Sequence, residues 1–163
     1  MKKLMIIIAL ALPMLVNAQK YGYVNTQELF AQMPEVAEVK AQMDTIQGQY
    51  ESQLVMMNEE FQKKFKDYQT NSATMADAIR QMREQELSEM QQRIETFYQT
   101  AQQDIQKKQQ ELLAPVNEKL AKAIQEVGAA EGYTYIFDSA AMVYIADDAI
   151  SANDSVKKKL NIK

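Results

Sequence analysis

The side chains of this sequence best suited to chemistry are carboxylates. Glu59-Glu60, Glu86 with Glu89, and Asp147-Asp148 form close pairs. Such pairs can hold a divalent ion or divide acid and base roles between them. Each pair falls on the polar face of a helical pattern or in a loop, with no pocket signal around it. Neither an active site nor a metal site is therefore expected, and no cofactor is implied. The chain has 163 residues and no His, Cys or Trp. That excludes Ser-His-Asp and Cys-His catalysis, zinc sites built on His or Cys, thiol redox chemistry, disulfides and a lipidated N-terminal cysteine. The balance points to a binding protein rather than an enzyme.

Two residue classes carry that binding chemistry. Of 11 Met, eight lie beyond residue 18, and six of those (Met43, Met56, Met57, Met75, Met82, Met90) fall in the long helical stretch between residues 35 and 113. A flexible, polarizable thioether adapts to varied apolar partners. Met43, Met57, Met82 and Met90 lie on apolar helical stripes, so packing between helices is their expected role. Met56 lies beside a stripe and Met75 at the expected tip. These two, with Phe61, Phe65, Tyr68 and Ile79, are candidates to touch a bound polypeptide. The second class is basic. Between Gln62 and Arg83 five basic residues face two acidic ones, a local charge of +3 in a chain of net charge −4. Lys63, Lys64 and Arg80 join the candidates, because such a patch steers acidic segments of a partner or makes transient contact with a membrane surface. Its plainer reading is a solvated helix face. A globally acidic chain is not a general nucleic-acid binder, so no nucleic acid is expected as a partner.

The elements that must position these residues begin after an address label. Met1-Lys2-Lys3 is a positive start, Leu4 to Val16 is apolar, and Val16-Asn17-Ala18 presents compact residues for cleavage between Ala18 and Gln19. Thirteen apolar positions are short of the roughly 20 needed to span a bilayer. An exported, soluble mature chain is expected, with 16 basic and 22 acidic side chains and a net charge near −6.

Tyr21-Gly22-Tyr23-Val24-Asn25 reads as a strand, with Asn25 and Glu28 spaced as a capping box for a short helix. Pro34 opens the next element. From Glu35 to Leu113 there is no Pro and a single Gly, Gly48. Val36, Val39, Met43, Ile46, Tyr50, Leu54, Met57, Phe61, Phe65 and Tyr68 recur in steps of three and four, one stripe along a helix. Thr70 to Thr74 interrupts it, and Thr74 with Asp77 is spaced as a second capping box. A return helix carries Ile79, Met82, Leu87, Met90, Ile94, Phe97, Ala101, Ile105, Leu112, Val116, Leu120, Ile124 and Val127. Glu86 and Lys108 sit where this seam prefers apolar residues. Pro115 should kink the helix, and Gly128 and Gly132 should end it. Tyr133–Phe137 and Met142–Ile145 read as two strands with a turn between them. Ser151 with Asp154 is spaced to cap a last helix ending in Lys157, Lys158 and Lys159, where cations suit the dipole.

This order gives a mainly α fold with a small β body. A long antiparallel hairpin projects from the body, each arm roughly 50–57 Å long at 1.5 Å per residue. Residues 1–18 are the signal peptide, 19–34 and 114–163 the body, and 35–113 the arm with its tip near 69–75. So small a body is marginal alone, so association through Val24, Tyr135, Phe137, Val143 and Ile145 is expected.

The succession of signal peptide, strand, Pro-started hairpin, Pro115, Gly132-Tyr133 strand pair and final helix resembles the Skp/OmpH family of periplasmic chaperones. The resemblance spans the mature chain and rests on element order, length, Gly22-Tyr23-Val24-Asn25 and Glu131 to Asp138. It implies a jellyfish-like homotrimer held by a β body, with arms enclosing a cavity. It also implies ATP-independent holding of unfolded outer-membrane β-barrel proteins in the periplasm. One departure is charge: the best-known relatives are basic overall and this chain is acidic, which weakens the case for the lipopolysaccharide or acidic-lipid contact attributed to the family. The alternative is a coiled-coil structural or adaptor protein of the cell envelope.

Overall fold

A computed structural model describes residues 19–162. The expected signal peptide, residues 1–18, lies outside the described residues. The order of elements is strand β1 (Lys20–Val24), helix α1 (Thr26–Gln32), helix α2 (Pro34–Asn71), helix α3 (Asp77–Ala130), strand β2 (Tyr133–Asp138) and helix α4 (Asn153–Leu160), with single turns of 3-10 helix at Ser72–Thr74 and Ser139–Ala141.

The sheet closes the two ends of the chain. β1 and β2 are parallel, with Tyr21 opposite Tyr135, Gly22 opposite Ile136, Tyr23 opposite Phe137 and Val24 opposite Asp138. Parallel neighbours need a long crossover, and here the whole helical hairpin is that crossover. Gly22 is packed against the Tyr133 ring, where a Cβ would lie 2.4 Å from a ring carbon. The Lys20 ammonium sits 3.8 Å from the same ring's centre.

Local capping is partly as the spacing predicts. The Asn25 side chain accepts from the Glu28 N–H at 2.9 Å, and Pro34 opens α2. The expected Thr74 box does not form. α3 begins after Ala76 with no side-chain cap, and the Thr74 hydroxyl donates back to the Asn71 carbonyl at 2.9 Å. The expected Ser151 box does not form either, since α4 begins after Ala152. Asn153 is drawn away to join the two ends of the body, accepting from the Asn25 N–H at 2.8 Å. α3 runs unbroken through Pro115 for 54 residues, about 80 Å at 1.5 Å per residue. Gly128 lies inside it, and Gly132, at φ +70°, makes the turn after its end. That left-handed conformation suits glycine.

The second expected strand, Met142–Ile145, is a correction: these residues form no strand. β1's other edge is used only at Tyr23, whose N–H donates to the Ile150 carbonyl at 3.0 Å and whose carbonyl accepts from the Ala152 N–H at 2.9 Å. β propensity expresses packing against neighbours, and in one chain Val143 and Tyr144 have none and are exposed.

A contiguous core joins the body to the base of the hairpin. Val24, Leu29, Met33, Val39, Met43, Val116, Leu120, Ala123, Val127, Val156 and Leu160 form it, with Ile46 and Ile105 packed at its outer limit. Lys157 to Glu28 at 2.7 Å, Lys159 to Glu126 at 2.7 Å, and Lys119 to Glu35 tie helices around it. Farther along the hairpin Leu87, Met90 and Ala101 are buried outside that cluster.

Candidate functional site

Along the arm the two stripes meet, but the seam is only partly apolar. Met43 and Met90 are buried in it and Met57 is half-buried, as packing residues should be. Met82, expected beside them, is instead exposed. The buried side of α3 here runs through Arg83, Leu87 and Met90, and Met82, one residue before Arg83, lies about 100° round the helix from it. The two polar intruders have partners. Glu86 receives the Lys64 ammonium from α2 and the Arg83 guanidinium at 2.8 Å. Hydrogen bonding by Lys64 and then Arg83 holds the Glu86 carboxyl below its ordinary range, and Glu86 in turn raises Lys64. Lys108 reaches Glu111 at 3.1 Å. Nearby, the Tyr50 hydroxyl crosses the seam to Asp104 at 2.6 Å, which raises the phenol's pKa.

The structure distributes the client-contact candidates unevenly. Met56, Phe65 and Ile79 are exposed, and Phe61 and Phe65 stack with centroids 5.8 Å apart. Phe61, Tyr68 and Met75 are half-buried, and Tyr68 donates to Glu84 across the hairpin. Lys63 is exposed, whereas Lys64 is committed to Glu86 and Arg80 to Asp77 at 2.7 Å. A groove of about 600 Å³ runs between the helices near the tip, lined among others by Lys63, Lys66, Tyr68, Arg83 and Leu87. Val55 and Tyr98 are exposed as well, outside the set that the sequence pattern selects. Their signal was available: both are large apolar residues lying off the stripe.

The body presents a different surface. Tyr21, Tyr135 and Phe137 point to the outer face of the sheet and stack, with centroids 6.0 to 6.4 Å apart. Beside them a groove of about 550 Å³ is lined by Tyr23, Met142, Tyr144, Ile145 and Ile150. Among the oligomerisation candidates, Tyr135, Phe137 and Val143 are exposed and Ile145 is half-buried. Val24 is only 2% exposed and faces its own chain's core, so it supports the sheet from within. Behind the face, Asp138 accepts from the Thr26 hydroxyl and from the Ala140 N–H at 3.1 Å, and the first of these bonds holds its carboxyl below the ordinary value.

Among the described residues, no group of three or more carboxylates converges as a metal site would require. Glu59, Asp147 and Asp148 are exposed and unconverged, Glu60 approaches Lys64 at 3.6 Å, and Glu89 accepts from Gln85 at 3.0 Å. None of the described helices is long and apolar enough to cross a membrane.

A family model described as outer membrane protein (OmpH-like) matches residues 20–160. The chain is 26% identical over 141 residues to the chaperone protein Skp of Pectobacterium atrosepticum, covering 86% of each. It is also 26% identical over 153 residues to the chaperone protein Skp of Yersinia enterocolitica, covering 94% of this chain and 93% of that one. A crystal structure from Caulobacter crescentus CB15, described as OmpH-like, superposes with a TM-score of 0.78 at 20% identity, over 88% of this chain and 84% of that one. At that identity the likeness is one of fold.

Proposed function

The chain belongs to the OmpH-like family, and from that premise we propose that it is a periplasmic chaperone. In this reading it holds unfolded outer-membrane β-barrel proteins between its arms, without ATP, until they reach the membrane. The observation that carries the reading is the exposed apolar surface of the hairpin. Val55, Met56, Phe65, Ile79, Met82 and Tyr98 lie in solvent along α2 and α3, with no burial in their own chain to explain them. Apolar groups spread singly along a polar helix give many weak contacts, which suits a client with no fixed shape. The arms then need a common base. The Tyr21, Tyr135 and Phe137 face, with Val143 and Tyr144 beside it, is proposed to join copies of the chain, as a trimer by analogy with the family. Burying that face would also supply the neighbours that residues 142–145 lack.

The test is light-scattering mass on residues 19–163, alone and after dilution of a urea-unfolded outer-membrane barrel into it. The expected result is a trimer that keeps the barrel in a defined soluble complex. A stable oligomer that leaves the barrel to aggregate overturns the holdase reading and favours the adaptor. A folded monomer at micromolar concentration overturns the association through the body.

A further inference from the structure

With no Cys, His or Trp in the chain, methionine sulfur is its most readily oxidised group, and the structure sorts the eight methionines beyond residue 18 into distinct environments. Met33, Met43 and Met90 are 2%, 8% and 4% exposed. Met57 and Met75 are half-buried. Met56 and Met82 are 53% and 54% exposed, one on each helix of the arm. Met142 lies on the body face proposed to join copies, where association would cover it. Reactivity toward oxidants follows exposure, so the protected sulfurs are those on which folding depends. The open ones lie on the surface proposed to grip clients.

We infer that Met56 and Met82 are modification sites, and that their conversion to sulfoxide by a two-electron oxidant such as hypochlorous acid releases the arm's hold on clients without unfolding the chain. The step balances. The thioether sulfur attacks the chlorine of hypochlorous acid, an S–Cl bond forms and hydroxide leaves. Water then adds its oxygen to sulfur, chloride departs, and two protons are lost, one of them neutralising the hydroxide. Sulfur is oxidised by two electrons and chlorine is reduced to chloride. The product is a polar, chiral S=O group in place of a flexible apolar one, which ends the adaptable contact methionine provides. Neither residue belongs to the contiguous core, so the fold has no stake in either sulfur. Sulfoxide is reducible, so the loss is reversible by methionine sulfoxide reductases.

This inference rests on the client-holding reading, and its test separates the two. The mature chain, in its assembled form, is treated with graded hypochlorous acid. Oxidation at each methionine is read by peptide mass spectrometry, fold by circular dichroism, and holding by retention of a urea-unfolded barrel. Met56 and Met82 should oxidise at least about tenfold faster than Met43 and Met90, as their exposure dictates. Holding should fall several-fold with helicity unchanged. In a Met56→Leu/Met82→Leu variant, inert to the oxidant at both positions, treatment should leave client retention at that variant's own untreated level. Uniform oxidation of all sites, or equal loss of holding in the leucine variant, overturns the inference. An untreated protein that holds no barrel overturns the client-holding reading instead, whatever the order of oxidation.

Discussion

At the body end of the hairpin, Val39 and Met43 of α2 and Val116 and Leu120 of α3 belong to one apolar core shared with α1, α4 and the sheet. Toward the tip fewer apolar side chains are buried, Leu87 and Met90 among them, and hydrogen bonds from Lys64 and Tyr68 to Glu86 and Glu84 cross between the same two helices, while Phe61 and Phe65 stack on each other within α2. Between the two regimes the Tyr50 hydroxyl bonds to Asp104, close to Gly48, which has nothing within 4 Å of its Cβ position. A glycine inside a helix costs stability relative to alanine. The base is thus held by burial, and the outer arm by a thin seam with polar crossings. Stability within a fold follows such differences, and elements that must adapt come from its weaker end. Under the proposed function, an arm of this build would keep its base fixed while its outer half adjusts to a client.

The strongest way to break the comparison is at the base. Leu29 is fully buried, and truncation to alanine should cost about 2–5 kcal/mol, as large-to-small core changes do. Urea unfolding should show a single destabilised transition with exchange protection lost from α1, α4 and the base of α3 together. A Leu29→Ala protein that loses protection only locally would mean that the body and hairpin base are not one unit. Gly22→Ala is the next largest. Its methyl would meet the Tyr133 ring at 2.4 Å, and displacing that ring should cost about 1–3 kcal/mol, the usual penalty of overpacking. Tyr133→Ala in the same background should recover part of the loss, by giving the methyl room.

At the outer arm the expected effect is smaller and confined. Met90→Ala removes one of the few buried side chains there and should lower hydrogen-exchange protection around residues 54–65 and 80–94, leaving residues 116–127 unchanged. Loss of protection in the body as well would show one cooperative unit and remove the distinction between the two ends. Replacing Lys64 and Glu86 together with leucine sharpens the comparison from the other side. Apolar replacement of a partly buried ion pair is often neutral or stabilising, so outer-arm protection should rise. If adaptability is what the polar crossing supplies, client retention should fall as protection rises.

Much of this arrangement is legible in the sequence, and the failures share a cause. Step spacing from Val36 to Tyr68 and from Ile79 to Val127 dictates two helices, because periodicity is a local property that tertiary context rarely overrules over so many turns. Pro34 acts through its own backbone and Asn25 through a side chain that bonds only three residues on, so both signals are local as well. Met142–Ile145 has strand composition without a strand, because a strand is defined by its partner, and apolar β-branched residues say nothing about whether one is within reach. Met82 is five residues before Leu87, a step that leaves the seam, and the position that faces α2 is taken by the half-buried Arg83, which an apolar count passes over. Val24 and Tyr135 sit on strands that pair, but register sends one inward and the other out, and a one-residue shift would reverse both. The Thr74 and Ser151 boxes match a spacing rule at termini where the helices begin one or two residues later than the rule supposes.

The smallest predicted effect is that of acid, and it separates the two ends by what remains when charge is removed. Glu28, Glu35, Glu126 and Glu86 are each held below the ordinary glutamate value of 4.5 by a hydrogen-bonded lysine, Lys157, Lys119, Lys159 and Lys64 respectively. A carboxyl whose folded pKa is lowered stabilises the fold above its unfolded value, and that contribution is lost as pH falls through the folded one. Stability should therefore be flat from neutral pH down to about 5 and decline below about 4.5. All four side chains are only partly buried, so solvent screens each pair and each loss is small. In the body the remaining apolar core keeps the elements together once Glu28, Glu35 and Glu126 are neutral. In the outer arm Glu86 is the main charged crossing, and its protonation leaves few buried apolar side chains, Leu87 and Met90 among them, to hold the seam. Exchange protection near residues 61–71 and 79–87 should therefore fall at a higher pH than protection in residues 116–127. Simultaneous loss at both ends would mean that the polar crossing contributes nothing the body's ion pairs do not.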